Sequence, residues 1–219
     1  MFGCAASHGV GGVEMQMLPA QKNGADLARW VGAQWQKHRA ERLWQILVNV
    51  GPGSFTGLKV GLGTVHALQD WIGHAGVQVN VAGIRSTVAL WIGAGCPTGA
   101  IAALSANPGR TFIEVMDAAD AAQREPDDTY WTHMPEPAPV LIAQRDQAAA
   151  EQLRALGRAA SAVTTQAIAR GIMERAQADA LGPLTVAAEP CYARQPRIDT
   201  SNDWRKRMLG WDTTEPTAA

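Results

Sequence analysis

From Met17 to His38 the apolar residues Leu18, Leu27, Trp30, Val31 and Trp35 fall mostly at helical spacing, with polar Gln21, Lys22, Arg29 and Lys37 between them. That period predicts an amphipathic helix, firm over 25–38 because Gly24 weakens its start. LWQILVNV (43–50) is a short apolar run that stops at Gly-Pro-Gly, the profile of a buried strand. After the turn GPGSFTG (51–57), Leu58, Leu62, Val65, Leu68 and Ile72 recur at threes and fours and predict a helix to about Ile72. A strand over 77–81 and a helix over 84–92, with Arg85 and Ser86 near its start, come next. Strands over 100–106 and 111–116 flank the turn Asn107-Pro108-Gly109. A short strand at 140–143 and helices at 146–156 and 163–178 complete the pattern. Residues 1–16 are glycine-rich and weakly patterned, 117–139 are acidic and proline-rich like a loop, and the chain from Thr200 onward reads as a polar tail. The order strand–helix–strand–helix–strand–strand–loop–helix–helix argues for a mixed α/β layer architecture.

Composition narrows the picture. The chain has 219 residues, 47% hydrophobic and 18% charged, which is globular and suits one large domain or two small ones. A formal net charge of -1 supplies no global positive field to draw in nucleic acid. Cys4, Cys96 and Cys191 are far apart and form no Cys-x-x-Cys pair, which fits a reducing compartment better than secretion. The opening MFGCAASHGVGG lacks the basic start and apolar run of a signal peptide. The apolar stretch from Val77 to Leu104 is broken by Asn80, Arg85 and Pro97, short of the roughly 20 apolar residues of a membrane span. A cytoplasmic protein without membrane association is expected.

The segment richest in chemistry is GPGSFTG: Gly51, Pro52, Gly53, Ser54, Phe55, Thr56 and Gly57. It joins a strand to a helix, and Ser54 or Thr56 can cap that helix. Such a turn can hold a phosphate on free N–H groups and the helix dipole. It is not a Walker A loop, because Gly57 is followed by Leu58-Lys59-Val60, and its third glycine falls one residue too late for GxGxxG. An anion cradle and a purely structural turn both remain open. Gly53, Gly57 and Gly61 repeat every four residues, and each glycine inside a helix costs roughly 0.5–1 kcal/mol relative to alanine. Either packing within the chain or an interface with a partner helix could offset that cost. His8, His38, His66, His74 and His133 never stand four apart, so no metal pair on one helix turn is expected.

VGPGSFTGLKVGLGTVHAL resembles the signature of the TsaB (YeaZ) family, in which a strand ending in Gly-Pro-Gly-Ser-Phe-Thr-Gly runs into a helix. VQVNVAGIRSTVALW (77–91) is similar to the family's next strand and helix, and AIAALSANPGRTFIEVMD (100–117) to its following hairpin. AEPCYARQP (188–196) is similar to its Ala-Glu-Pro-x-Tyr-x-Arg close. The resemblance implies an α/β fold of the actin-like ATPase (ribonuclease H-like) superfold with two related halves, here 1–99 and 100–199, followed by the tail 200–219. It implies a non-catalytic partner subunit for a TsaD-like protein, working with a TsaE-like ATPase. Together these support formation of N6-threonylcarbamoyladenosine beside the tRNA anticodon, from a donor made by a TsaC-like enzyme. It places the partner interface at the helix after the motif, which favours the interface reading of Gly57 and Gly61. Contact with tRNA would come mainly through the partner, no cofactor would be its own, and a nucleotide shared at the joint interface or a homodimer is compatible with it. Glu189 and Tyr192, in the closing motif, are expected as structural contacts.

The resemblance fails at the N-terminus. TsaB-like chains open with a strand carrying an Ile-Asp-Thr-like motif and a second strand, and MFGCAASHGVGG shows no such run. The first half is therefore expected to lack its opening strands, leaving the edge of strand 43–50 without its neighbour. A start codon placed too far downstream would explain this, and an in-frame stop directly before Met1 would sink that idea. The competing reading of the whole chain is a nucleotide- or phosphate-binding enzyme of the same superfold, with 51–57 as its cradle. The tail's Arg205, Lys206 and Arg207 read as solvated charge.

Overall fold

A computed structural model describes residues 3–9, 12–18, 23–38, 43–107, 110–116, 138–155, 157–178 and 180–190. The expected loop 117–139, except its last two residues, and the tail 200–219 lie outside the described residues, as does Tyr192. The chain runs β1 (Gly3–Gly9), β2 (Gly12–Leu18), α1 (Asn23–His38), β3 (Leu43–Gly51), α2 (Phe55–His74), β4 (Gln78–Arg85), α3 (Ser86–Gly93) and β5 (Ala100–Asn107). It continues through β6 (Arg110–Met116), β7 (Val140–Ala143), α4 (Gln147–Ala155), β8 (Ala160–Val163) and α5 (Thr165–Gln177) to a 3-10 turn at Gly182–Leu184.

The structure is mixed α/β, with three sheets among the described residues. β1 and β2 form an antiparallel hairpin, β3 and β4 a parallel pair, and β6-β5-β7-β8 a four-stranded sheet. Parallel neighbours need a crossover, and α2 supplies it for β3 and β4 as α4 does for β7 and β8. One face of the parallel pair carries Trp44, Ile46, Val48 and Val50 beside Val79 and Val81, packed against α1 and α2. The four-stranded sheet is covered on both sides. Ile101, Ala103, Ile113, Val140 and Ile142 meet Ala149 and Leu153 of α4, while Ala100, Ala102, Met116 and Leu141 meet α3. That alternation follows from the two-residue period of a strand.

Helix α3 is buried all round: Thr87 through Ile92 are each 5% exposed or less. A helix apolar on every side belongs inside a core. Leu47 of β3 and Ile84 of β4 reach it from one sheet, Ala102 of β5 and Leu141 of β7 from the other. The Trp91 indole N–H, which would otherwise be stranded there, donates to the Pro97 carbonyl at 2.9 Å. Against α3 lies α5, at a crossing where both helices offer glycine. A Cβ on Gly93 would stand 2.7 Å from Ile168 Cγ1 and 2.8 Å from its Cα, and one on Gly171 3.0 Å from the Ile92 carbonyl oxygen.

Three expectations are corrected. The opening strands are not missing: β1 and β2 occupy 3–9 and 12–18, joined across Gly9 and Gly12. The readable signal was the alternation Val13-Glu14-Met15-Gln16-Met17, which a helical reading beginning at Met17 cut short. The hairpin pairs with itself, and among the described residues β3 pairs only with β4, so the other edge of strand 43–50 has no neighbouring strand, as expected. The strand placed at 77–81 continues to Arg85, because it stays paired with β3 to the end, Val48 opposite Gly83, Asn49 opposite Ile84 and Gly51 opposite Arg85; Val186 adds a bridge at Gly83 through bonds of 2.8 and 2.9 Å. Finally, the helix expected from 163 begins at Thr165, and Val163 instead ends a strand, β8, that the pattern does not predict, since Ala-Ser-Ala-Val shows neither alternation nor β-branched bulk before its last residue.

Crowding separates the glycines into two kinds, and denaturation midpoints can read the difference. Gly93→Val should destabilise the chain by about 1–3 kcal/mol, because Ile168 presents backbone that cannot step aside. Gly61→Ala, whose added methyl meets nothing within 4 Å, should instead stabilise it by about 0.5–1 kcal/mol.

Candidate functional site

The parallel pair β3–β4 ends at Gly51 and Arg85, and helices α2 and α3 begin just beyond. The carboxyl ends of parallel strands are where open α/β sheets characteristically place ligands or partners. Gly51 has φ +108, a backbone state that L side chains rarely adopt, and its peptide bond to Pro52 is cis. Both residues are buried, so the turn starts inside the fold and emerges at Gly53.

Three side chains organise the turn. Asn49 Oδ1 accepts the Gly51 N–H at 2.8 Å and the Ser86 hydroxyl, also at 2.8 Å, which ties the starts of the two helices together. Ser54 caps α2: its backbone is extended, and its Oγ accepts the Gly57 N–H at 3.2 Å. The Ser54 carbonyl takes the Leu58 N–H at 2.9 Å. Ser86 is expected only as a residue near the start of a helix and Asn49 only as part of an apolar strand; no spacing rule links residues 37 apart, and the strand register brings them together.

Beyond the cap the motif lies on the surface. Gly53, Ser54, Phe55 and Thr56 are exposed, and Lys59 Nζ stands 4.4 Å over the Phe55 ring. The inner face of α2 buries Leu58, Leu62, Val65, Leu68 and Ile72, as their spacing predicted. The outer face is unusual for a solvent-facing helix. Thr56, Val60, Gly63, Ala67 and Trp71 follow at steps of four, three, four and four, all exposed. Lys59 and Asp70 are the helix's only formal charges, where an outward face normally carries many. Among the described residues four large apolar side chains are exposed, and three of them, Phe55, Val60 and Trp71, belong to α2. Trp71 meets Trp35 of α1 edge-on at 5.9 Å, and Trp35 meets Trp44 of β3 at 5.6 Å, so the apolar surface continues into a tryptophan cluster.

The glycines of the motif helix do not serve internal packing at Gly61, where a Cβ would find nothing within 4 Å; the same holds for Gly53 and Gly63. Gly57 is half-buried and uses its N–H in the cap. Two cavities, of about 360 and 390 Å³, lie away from the turn, one beside Pro97, Pro139 and Thr164 and the other beside Cys96 and Arg175. Among the described residues no three His, Cys, Asp or Glu side chains gather as metal ligands, and no helix is long and apolar enough to cross a membrane. His66 and His74 are exposed on α2, and Glu189 is exposed near the end of the described chain.

No protein-family model and no curated protein matches the chain. By structure it is similar to YeaZ from Pseudomonas aeruginosa, at 13% identity and a TM-score of 0.47 over 86% of this chain and 94% of that one. It is also similar to an uncharacterized protein with similarity to peptidase YeaZ from Pseudomonas aeruginosa, at 17% identity and a TM-score of 0.48 over 88% and 94%.

The cap geometry gives a direct test. Ser54→Ala should cost about 0.5–2 kcal/mol of stability in urea unfolding, because the Gly57 N–H loses its acceptor at the first turn of α2.

Proposed function

We propose that this chain is a TsaB-like subunit that binds a TsaD-like protein through the exposed face of α2. In that reading it takes no catalytic part itself. It supports the partner, alongside a TsaE-like ATPase, in forming N6-threonylcarbamoyladenosine in tRNA. The observation that carries the reading is the concentration of exposed apolar side chains on α2, at Phe55, Val60 and Trp71, around glycines whose missing side chains meet nothing of their own chain. Val60 and Trp71 share the outward face and Phe55 stands at the helix's start, and large apolar side chains exposed together on one helix suit an interaction site. Bare glycine beside it lets another helix approach closely, which offsets the helix propensity lost at Gly61 and Gly63. The run VGPGSFTGLKVGLGTVHAL, which resembles the TsaB signature, covers the same helix and supplies the identity of the partner. A net charge of -1 suits a subunit that meets tRNA through another protein. The same resemblance carries the actin-like superfold and a nucleotide held at the joint interface.

A second reading has its own observation. The N-termini of α2 and α3 open at the same edge of the β3–β4 pair, an arrangement that favours an anion. It makes the chain a nucleotide-binding enzyme acting alone, and calorimetry of the isolated chain with ATP separates the two: heat of binding favours it, no heat removes it.

Co-purification with the TsaD-like protein of the same organism tests the first reading. Val60→Glu, on an exposed position, should leave unfolding within about 0.5 kcal/mol of the parent. It should weaken the complex by about 30-fold or more if Val60 lies at the centre of the interface. Gly61→Leu should fold at least as well as the parent and also fail to co-purify. Complex formation undiminished in both variants would turn the α2 reading down.

A further inference from the structure

Three consecutive residues at the start of α3 face two ways. Arg85 and Thr87 turn inward to one carboxylate, Glu114 of β6. Arg85 Nη2 stands 2.7 Å from Glu114 Oε1, and the Thr87 hydroxyl donates to Glu114 Oε2. Ser86, between them, turns the other way and donates to Asn49 Oδ1, the oxygen that also receives the Gly51 N–H. A continuous polar path therefore runs from β6, at the edge of the four-stranded sheet, through the Arg85-Ser86-Thr87 tripeptide to the first residue of the motif turn.

Burial makes the path informative. The side chains of Arg85 and Glu114 are 3% and 4% exposed, and Thr87 is fully buried. Desolvation offsets most of the attraction of such a pair, and apolar replacements of similar volume often serve stability as well. Packing alone therefore does not call for charge here. A buried carboxylate that satisfies partners at both i and i+2 of one corner does fix that corner in a single orientation. On the other side of β4, Val186 clamps Gly83 two residues before Arg85, so the strand end is held from both directions.

The geometry points to Glu114 as a positioning residue for the motif turn. By holding Arg85 and Thr87 it presents the Ser86 hydroxyl to Asn49, and Asn49 in turn holds the Gly51 N–H. The inference concerns the turn's geometry and does not depend on which ligand or partner the turn meets.

Amide hydrogen exchange of the full chain, followed by NMR at Gly51 and at Ile101, tests it. The Ile101 N–H donates to the Pro139 carbonyl at 2.8 Å, away from the turn, and serves as the reference for general loosening. Glu114→Gln, Ser86→Ala and the double variant complete a cycle with the parent. Glu114→Gln should speed exchange at Gly51 by about five-fold or more beyond its effect at Ile101, and that excess should vanish in the Ser86→Ala background. Equal acceleration at the two amides, or the same excess with Ser86 already removed, overturns the proposal. If Glu114→Gln does not fold, Thr87→Val takes its place in the cycle, since it removes one hydroxyl at nearly constant volume, and the same two outcomes decide.

Discussion

Helix α3 is only eight residues long, yet two sheets depend on it. The parallel pair β3–β4 and the four-stranded sheet each have an apolar face that must leave water, and they meet the same helix from different sides. A helix in that position has little room for polar groups, and the two that α3 carries sit in its first turn, the Ser86 hydroxyl on Asn49 and the Thr87 hydroxyl on Glu114. Its crossing with α5 is close where Gly93 faces Ile168 and Gly171 faces Ile92, since neither glycine places a side chain between the two backbones. The placement of both sheets, and with them the ends of β3 and β4 where the motif turn sits, follows from this one buried element.

The motif helix obeys the opposite rule. Its inner face is a conventional apolar stripe packed on β3 and β4, and its outer face is apolar as well, although water covers it in the isolated chain. Helices in stable monomers generally place charge there. The contrast between the two glycine-bearing helices is what gives the surface its meaning. In α3 the missing side chains accommodate a neighbour that is present, and in α2 they face open space.

Much of the fold was legible in periodicity. The strands at 43–50, 100–106 and 140–143 follow from short apolar runs, because a strand covered on both faces needs no polar side, and the amphipathic helices α1, α2, α4 and α5 follow from apolar spacing, since one-sided burial imposes that spacing. What was not legible came from pairing between distant segments. Residues 82–85 are strand because they pair with Leu47 to Gly51 of β3, and nothing in 82–85 themselves announces that partner. Of the site, the cap at Ser54 was readable from the motif and Asn49 was not, because its role depends on where the β4 corner places Ser86. The pairing of Arg85 with Glu114 was hidden for the same reason: in sequence, Arg85 looks like any polar residue opening a helix.

The two kinds of glycine answer to different physical constraints. At 83 and 93 an added Cβ would stand under 3.0 Å from the chain's own backbone, and at 171 it would press on the Ile92 carbonyl at 3.0 Å, so the fold itself calls for a bare position. At 61 and 63 folding offers no such barrier, and replacement by alanine would strengthen the helix. A lineage in which this surface lost its purpose would be free to fill those positions, while the buried crossings stayed bare. Nothing inside the chain calls for glycine at 61 or 63, whereas at 83, 93 and 171 the fold alone accounts for it.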